Sequence, residues 1–271
     1  MVPCLAVTRE WQASDYHRLS APQVAWGRRV LARLDLAGHE RVVDAGCGTG
    51  RLAAELLDRL PAGQLLCLDR SHNMIVEAAR FLQPLTHARG CRLFLVEADL
   101  RHVPLDRWAD VVFSTATFHW VPDHPRLFAE IFRSLDRGGR LLAQCGGAGN
   151  LDRVHGWAAR VCEQPEFAPF FTDWTNPWVF ATPDETSRHL GRAGFVDVDT
   201  SLEAAPTPFD TRSDFEGFLR TVVLRPFIGR LTTDELARNF VTAVADEAWA
   251  EGQGFWLDYW RLNLSARRPP G

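Results

Sequence analysis

Short apolar runs recur along the first half of the chain, separated by stretches with a different periodicity. They lie at residues 41–46, 64–69, 92–99, 109–114 and 140–145. Runs of this length, rich in Val and Leu, are typical of buried strands. Because the runs are nearly continuous in apolar residues and not alternating, they predict parallel strands that are covered on both faces of a sheet.

Helical patterns separate these runs. Leu52 and Leu56 recur at helical spacing after Gly50, and Ser71 is a candidate N-cap for a helix that ends near Phe81. A further apolar stripe, which stops at Gly138, consists of Leu127, Phe128, Ile131, Phe132 and Leu135. Strands that alternate with helices in this way predict an α/β protein with a doubly wound sheet.

The pattern changes after about residue 148. An aromatic stretch broken by prolines covers residues 165–180, and a helix is predicted over 184–193, closed by Gly194. Residues 195–204 alternate like a strand, residues 213–249 are mostly helical, and residues 255–267 form a long final strand candidate.

Charge narrows the classes of function. The chain has 271 residues, a formal net charge of −4 and 30 basic residues, all of which are Arg. The absence of Lys excludes a lysine Schiff base, a pyridoxal phosphate lysine and a Walker-A lysine. No basic field for a nucleic acid or a membrane is present, so a small-molecule substrate is expected. No oligomeric state is indicated.

Cysteine use and the lack of targeting patterns indicate a compartment. The six cysteines, at positions 4, 47, 67, 91, 145 and 162, include no C-x-x-C pair. We therefore expect buried free thiols, with neither a disulfide framework nor a metal site. Without a basic leader or an apolar run of membrane length, a cytoplasmic location is expected.

The segment most informative about chemistry is VVDAGCGTG at residues 42–50, where a strand ends, a glycine-rich turn follows and a helix begins. Such a turn brings backbone N–H groups close to a ligand. The next strand ends in Asp69, where an acid can bind a ribose diol. The third glycine of the dinucleotide fingerprint would fall at position 51, which is Arg51, and this disfavours NAD.

Several of these motifs resemble those of a known protein family. DAGCGTG, the strand-end Asp69, ADL at 98–100 and FHWV at 118–121 resemble the class I S-adenosylmethionine-dependent methyltransferases across residues 40–148. YHRLSAPQVAWGRRVL, HWVPDHPRLFAEIFRSLDRGG and VVLRPFIGRL resemble the trans-aconitate 2-methyltransferase group, whose relatives methylate carboxylates.

The resemblance implies a Rossmann-like fold with a seven-stranded, mostly parallel sheet, an antiparallel last strand and a helical cap. The implied cofactor is S-adenosyl-L-methionine, released as S-adenosyl-L-homocysteine. It also implies an N-terminal helical lid over residues 1–39, a cofactor-binding core over 40–148, and the end of the sheet with an inserted aromatic and helical cap over 149–271.

Site residues follow from the same resemblance. Asp44 and the glycine backbone would hold the methionine part, Asp69 the ribose, and Asp99 the adenine edge. The full implied cofactor site is Tyr16, Asp44, Gly46, Gly48, Gly50, Asp69, Arg70, Met74, Asp99, Leu100, Ser114 and Thr115. The catalytic candidates are Gln23, His119 and Trp120, and the substrate-binding candidates are Trp120, Arg225 and Tyr259.

Three functions remain open. A carboxylate acceptor is already ionised at pH 7, so its methylation needs positioning and no general base. A hydroxyl, amine or carbon acceptor would need a base, for which His119 is the candidate. The third alternative is a non-catalytic protein that binds the cofactor. An acidic acceptor requires a cation, and the candidates in the cap are Arg212, Arg220, Arg225 and Arg230. The aromatic stretch at 165–180 would narrow the pocket towards a hydrophobic acid.

Overall fold

A seven-stranded sheet forms the centre of the molecule. The computed structural model describes residues 21–86 and 92–271, with side chains from Val24 onward. The strands are β1 (Arg41–Ala45), β2 (Gln64–Asp69), β3 (Arg92–Glu97), β4 (Ala109–Thr115), β5 (Leu135–Gly146), β6 (Val196–Ala204), β7 (Thr207–Pro208), β8 (Trp256–Leu257) and β9 (Trp260–Arg267). The spatial order is β3-β2-β1-β4-β5-β9-β6, with β9 antiparallel to both neighbours, as predicted. The short β7 and β8 pair separately.

Helices flank the sheet and form a second layer beyond its last strands. They are α1 (Ala21–Ala32), α2 (Arg51–Asp58), α3 (His72–Thr86), α4 (His124–Ser134), α5 (Asp152–Cys162), α6 (Pro183–Ala193), α7 (Arg212–Phe218), α8 (Arg225–Ile228) and α9 (Asp234–Ala250). A π-helical turn, Leu219–Val223, follows α7. Within the two described ranges, no helix is long and apolar enough to cross a membrane.

Apolar residues on both faces of the sheet form two of the three cores. In β1, Val43 packs in one cluster with Phe128 of α4, and Val42 packs in the other with Leu56 of α2. Successive side chains of a strand point to opposite faces of the sheet, which is why these two neighbouring residues belong to different clusters. A third core lies between the cap helices and includes Trp157, Phe215 and Phe240.

The strand order creates a switch point. The chain places β2 and β3 on one side of β1 and then crosses to place β4 on the other. Open α/β sheets bind ligands at the carboxyl ends of the strands beside such a crossing. The residues that end β1, β2 and β4 therefore surround one candidate site.

Most predicted elements are confirmed, and the differences have physical causes. The helix after residue 183 ends at Gly194, which has φ +102°. Leu135 is extended and begins β5, although it continues the apolar stripe of α4. The expectation of burial on both faces is wrong for β3, because it is an edge strand and Phe94 is 42% exposed. The long final strand starts at Trp260.

Two boundaries and the thiols complete the comparison. Ser71 caps α3, accepting a hydrogen bond from the Met74 N–H at 3.3 Å, but this helix continues to Thr86. The four described cysteines are free, Cys67 and Cys145 being buried and Cys47 and Cys162 half-buried. Cys4 and Cys91 lie outside the described residues.

Candidate functional site

Asp44, the second-last residue of β1, lies at the switch point with its side chain almost completely buried. The residue is 3% exposed. Burial, and then the charge of Asp69, raises the pKa of Asp44 to about 7. Burial disfavours the charged form of the Asp44 carboxylate. A positively charged ligand group that pairs with it would therefore contribute more binding free energy here than at the surface.

The turn after β1 needs glycine for two different reasons. Gly46 has φ +84°, and a Cβ there would lie 2.2 Å from the side chain of Thr117, so backbone and side chain are in close contact. Gly48 has φ +54°, yet a Cβ would meet nothing within 4 Å. The backbone at Gly48 therefore faces open space, as required of a backbone that a ligand approaches.

Asp69, at the end of β2, organises the same turn. Its carboxylate accepts hydrogen bonds from the N–H groups of Gly48 and Ser71, each over 2.9 Å. Burial raises the pKa of Asp69 despite these bonds. Asp69, which is predicted to bind the ribose of the cofactor, thus also fixes the conformation of the glycine turn that faces the open space.

Gly50 and Arg51 mark the beginning of α2. Gly50 has φ +84° and precedes the first helical residue, Arg51. A Cβ at Gly50 would lie 2.8 Å from Leu82, so this glycine serves helix packing.

The residues predicted to surround adenine have mixed placements. Arg70 is exposed, whereas Met74 and Leu100 are buried, Leu100 within the core. The carboxylate of Asp99 is bound by Arg101 through its backbone N–H (2.9 Å), Nε (3.1 Å) and Nη2 (2.6 Å). Arg101 is the main reason that the pKa of Asp99 is lowered.

Two predicted cofactor residues lie at the end of β4. Ser114 is 1% exposed and its hydroxyl donates to the Ala45 carbonyl over 2.6 Å, so this side chain joins β4 to β1, and its place beside the cofactor stays a prediction. Thr115 is half-buried at the strand end. The next residue, Ala116, has φ +54°, and such backbone strain in a non-glycine residue clusters at functional sites.

His119 lies in a short 3-10 turn beyond β4, with its imidazole buried. Its Nδ1 accepts a hydrogen bond from the Gly146 N–H over 3.1 Å. Burial, with a contribution from Arg261, lowers the pKa of His119 well below its usual range. The ring is therefore neutral with its proton on Nε2, which makes it a hydrogen-bond donor and not a base.

Beside His119 lies a small cavity of about 50 Å³, which we call the head cavity. Its lining consists of Ala116, His119, Trp120, Asn150, Leu151, Trp178, Phe180, Val222, Val223, Tyr259 and Arg261. Two predicted substrate residues, Trp120 and Tyr259, therefore lie together here. The structure connects this cavity to the strand ends through Ala116, which directly follows β4.

Arg261 is the cation of the head cavity, and sequence reasoning missed it. The residue is 3% exposed, its guanidinium lies 4.7 Å from the ring of Trp26, and its Nε is 3.5 Å from Oε1 of Gln144. Trp26 also packs edge-on against Tyr259, with ring centres 4.8 Å apart. Helix α1 thus contributes an aromatic side chain that covers the cation.

The cations that the sequence suggested have other environments. Arg225 is half-buried in α8 and does not belong to the linings of the two described cavities, so its role as a substrate residue stays a prediction. Arg212 pairs with Glu216 and Asp246, each at 2.7 Å, and Arg230 pairs with Asp173. Arg220 is exposed. Tyr16 and the side chain of Gln23 lie outside the described residues.

One sequence signal could have indicated Arg261. It belongs to a run of four successive buried residues in β9, at positions 261–264. A cation within such a strand is rare unless it has partners or a role. Asn150, Trp178 and Phe180 carried no comparable signal, because their positions in loops reveal no facing direction.

The strand-end residues fit the cofactor implied by the sequence. Gly48 faces open space, its N–H binds the carboxylate that ends β2, and the buried acid Asp44 lies in β1, beside β2 in the sheet. This suits an elongated ligand with a cationic amino acid part and a diol. Asp44 and the turn would hold the former, and Asp69 the latter.

Comparisons with known proteins agree with this choice of cofactor. The methyltransferase domain family matches residues 43–143. A trans-aconitate 2-methyltransferase of Methylobacterium nodulans is 32% identical over 275 residues, covering 96% of this chain and 98% of the relative. A malonyl-[acyl-carrier protein] O-methyltransferase of Geobacter sulfurreducens is 33% identical over 214 residues, covering 78% of this chain and 75% of the relative.

Among solved structures, phosphoethanolamine N-methyltransferase 2 of Haemonchus contortus, in complex with S-adenosyl-L-methionine, has a TM-score of 0.59. The identity is 16%, and the match covers 95% of this chain and 56% of that one. This likeness establishes the fold, and the relatives at higher identity establish the family. The chain belongs to the class I S-adenosylmethionine-dependent methyltransferases.

Proposed function

We propose that this methyltransferase transfers the methyl group to a carboxylate of a small organic acid. The observation that carries the proposal is the buried guanidinium of Arg261 in the lining of the head cavity. A buried carboxylate is expensive unless it is paired, and Arg binds carboxylates through two parallel hydrogen bonds. The relatives named above act on trans-aconitate and on a malonyl group, both of which carry carboxylates.

The chemistry requires little from the protein beyond positioning. When bound, S-adenosyl-L-methionine supplies a sulfonium methyl group, and its carbon–sulfur bond breaks as the carboxylate oxygen bonds to the methyl carbon. Arg261 would hold the acceptor so that one oxygen points along the line of transfer. Holding reacting groups in this way can contribute roughly 7–11 kcal/mol to the rate.

The aromatic side chains of the head cavity would remove water from the acceptor. Trp120 and Trp178 have ring centres 5.4 Å apart, and Tyr259 lies in the same lining. A dry wall strengthens the pairing of the acceptor with Arg261 and raises the reactivity of the carboxylate.

The state of His119 favours a carboxylate over acceptors that must lose a proton. Its Nδ1 is engaged by the Gly146 N–H, and its Nε2 carries a proton. A hydroxyl, amine or carbon acceptor would need a base at this position. An ionised carboxylate needs none, because its ordinary pKa lies far below 7.

Each of three parts of the chain would have its own role in the reaction. Residues 40–148 would bind the cofactor and residues 149–271 would complete the sheet and cap the acceptor. Residues 1–39 would act as a lid, a role supported by the contact of Trp26 with Arg261 and Tyr259.

A methyl-transfer screen tests the proposal. Radiolabelled S-adenosyl-L-methionine would be offered with organic acids, trans-aconitate among them, and with phenols and amines. We expect methyl esters only from acids, and a KM raised at least tenfold in Arg261→Gln with S-adenosylhomocysteine binding retained. Arg230→Gln, which removes a cap arginine paired with Asp173, should leave the KM unchanged.

Two outcomes would overturn it. Products from phenols or amines with an unchanged KM in Arg261→Gln would indicate another acceptor class. Cofactor binding without any product across the whole screen would favour a non-catalytic binding protein.

A further inference from the structure

A second, larger cavity lies next to the head cavity. It has a volume of about 620 Å³, and we call it the aromatic cavity. Its lining consists of His155, Ala159, Cys162, Glu163, Ala168, Phe171, Thr172, Trp174, Asn176 and Phe227. A cavity of this size is within the range of small-molecule sites.

The head cavity cannot hold a whole acceptor molecule. Its volume of about 50 Å³ is that of a few water molecules, since one water needs roughly 10–15 Å³ on this measure. It suits a carboxylate with one or two attached carbons. The remainder of a larger acid must extend into neighbouring space.

The wall between the two cavities consists of two aromatic layers in contact. His155, in the lining of the aromatic cavity, stacks on Trp178 and Phe180 of the head cavity, with ring centres 5.0 Å and 5.7 Å apart. Phe227, also of the aromatic cavity, lies 6.1 Å from Trp178. Rotation of the Trp178 ring, together with a shift of His155 or Phe227, would therefore join the two spaces.

One polar atom in this wall is not hydrogen-bonded to any described residue. His155 Nε2 is buried and has no hydrogen-bond partner among the described residues. Leaving a buried nitrogen unpaired costs free energy, so a rearrangement that gives it a partner is favoured.

The chemistry of the aromatic cavity selects against additional negative charges. Of its ten lining residues, none is Arg and one is an acid, Glu163. The Cys162 thiol is neutral, because burial raises its pKa to about 12. Apolar carbon is the chemistry that the three aromatic rings of Phe171, Trp174 and Phe227 bind best.

Resting on the proposed carboxylate methylation, we propose that the acceptor is a monocarboxylic acid with an alkyl or aryl tail. Its carboxylate occupies the head cavity against Arg261, and its tail passes Trp178 into the aromatic cavity. A tricarboxylate such as trans-aconitate would place charge beside Glu163 and is a poorer fit.

A series of acids of increasing tail length tests this inference. Linear acids from four to about twelve carbons, phenylalkanoic acids and trans-aconitate would be compared by kcat/KM. We expect a rise of about fourfold per methylene, the ratio that corresponds to burial of one CH₂, until the cavity is full. Trans-aconitate should lie well below the best tailed acid.

Two variants locate the tail. Ala159→Trp fills the aromatic cavity from the solvent-accessible side of α5, and we expect it to remove the gain from long tails and leave short acids unaffected. Ala129→Trp, at an exposed position of α4 outside both linings, is the matched control. Trp178→Ala should extend the gain to bulkier tails.

The possible results separate this inference from the proposed function. If acids are methylated without dependence on tail length, or if Ala159→Trp and Ala129→Trp behave alike, the tail site is wrong and carboxylate methylation stands. Trans-aconitate as the best acceptor would have the same meaning. If no acid of the series or the wider screen is methylated, the proposed function itself fails.

Discussion

The backbone N–H of Gly146 donates its hydrogen bond to Nδ1 of His119 over 3.1 Å. Gly146 is the last residue of β5, and His119 follows the end of β4. The bond ties together two neighbouring strand ends, and it fixes the ring orientation beside the head cavity.

The variants His119→Asn and His119→Leu separate a structural role from a basic one. Asn can place an oxygen where Nδ1 accepts, so we expect kcat to change less than about threefold. Leu would leave the Gly146 N–H buried without a partner, which costs about 1–3 kcal/mol. Chemical denaturation and steady-state rates measure both effects. Equal loss of kcat in the two variants, with a rate that rises through a single ionisation, would show that His119 is a base.

Cofactor affinity should depend on pH through Asp44. Its pKa of about 7 in the free protein means that the carboxyl group is largely protonated below that pH. A cationic ligand group favours the ionised form, so the Kd of S-adenosyl-L-methionine should rise as pH falls below 7, approaching about tenfold per pH unit. Isothermal titration between pH 5.5 and 8.5 measures this, and a constant Kd would contradict it.

Stability should depend on Asp44 in the opposite direction. A carboxyl group whose pKa is higher in the folded than in the unfolded protein stabilises the fold at low pH, and this stabilisation is lost as pH rises through about 7. Asp44→Asn removes the buried charge. We expect a higher Tm than the parent at pH 8, no gain at pH 4, and loss of cofactor binding. A lower Tm at pH 8 would show that the carboxylate is well stabilised in the fold.

Two alanine substitutions in the glycine turn should have different effects, one on stability and the other on cofactor affinity. In Gly46→Ala the new Cβ would collide with Thr117, so a loss of stability of at least about 2 kcal/mol is expected from the clash and from φ +84°. In Gly48→Ala the Cβ meets no protein atom and the cost is about 1 kcal/mol. The methyl group would instead occupy ligand space. Calorimetry and S-adenosylhomocysteine titration should therefore show stability lost in the first and affinity lost in the second.

Glu130 should act as a positioning residue for the loop that follows β3. The residue is 5% exposed; its carboxylate accepts from the Val103 N–H at 3.1 Å and pairs with Arg126 at 2.8 Å. Arg126 in turn donates to the carbonyl of Arg101, whose side chain binds Asp99.

Glu130→Ala should therefore reduce stability by about 2–3 kcal/mol, because the buried Val103 N–H loses a charged acceptor. If Asp99 contributes to the adenine site, cofactor affinity should fall as well. Asp106→Ala, in the same loop, is the control. A variant that loses stability with an unchanged Kd would show that the loop does not support the cofactor.

The sequence predicted the sheet well because buried parallel strands leave an unmistakable apolar run. The strand at 64–69 has the same bounds in the structure as in the prediction. Leu135 was misassigned because a buried leucine continues a helical stripe and begins a buried strand equally well. The exposure of β3 depends on its place at the edge of the sheet, which periodicity does not report.

The buried cation in the lining of the head cavity, Arg261, was not among the residues that the sequence indicated. Arg225 was a candidate because the resemblance implied it and because it lies in the cap, where it begins the short helix α8. Arg261 was overlooked because a charged residue in a strand usually faces solvent. Its burial depends on tertiary contacts, with Trp26 over the guanidinium and with the insertion of β9 between two other strands.

That insertion also constrains the order of folding. Within the described part of the chain, β6 pairs with β9 alone, and β9 follows it by more than fifty residues. Residues 196–204 therefore cannot join the sheet while the chain is still being synthesised up to residue 260. A ribosome-bound chain could assemble β1 to β5 early, but the edge at β5 would stay open, and open edges are prone to aggregation. Expression should consequently be most sensitive to substitutions in β9, although its residues are the last of the sheet to be made.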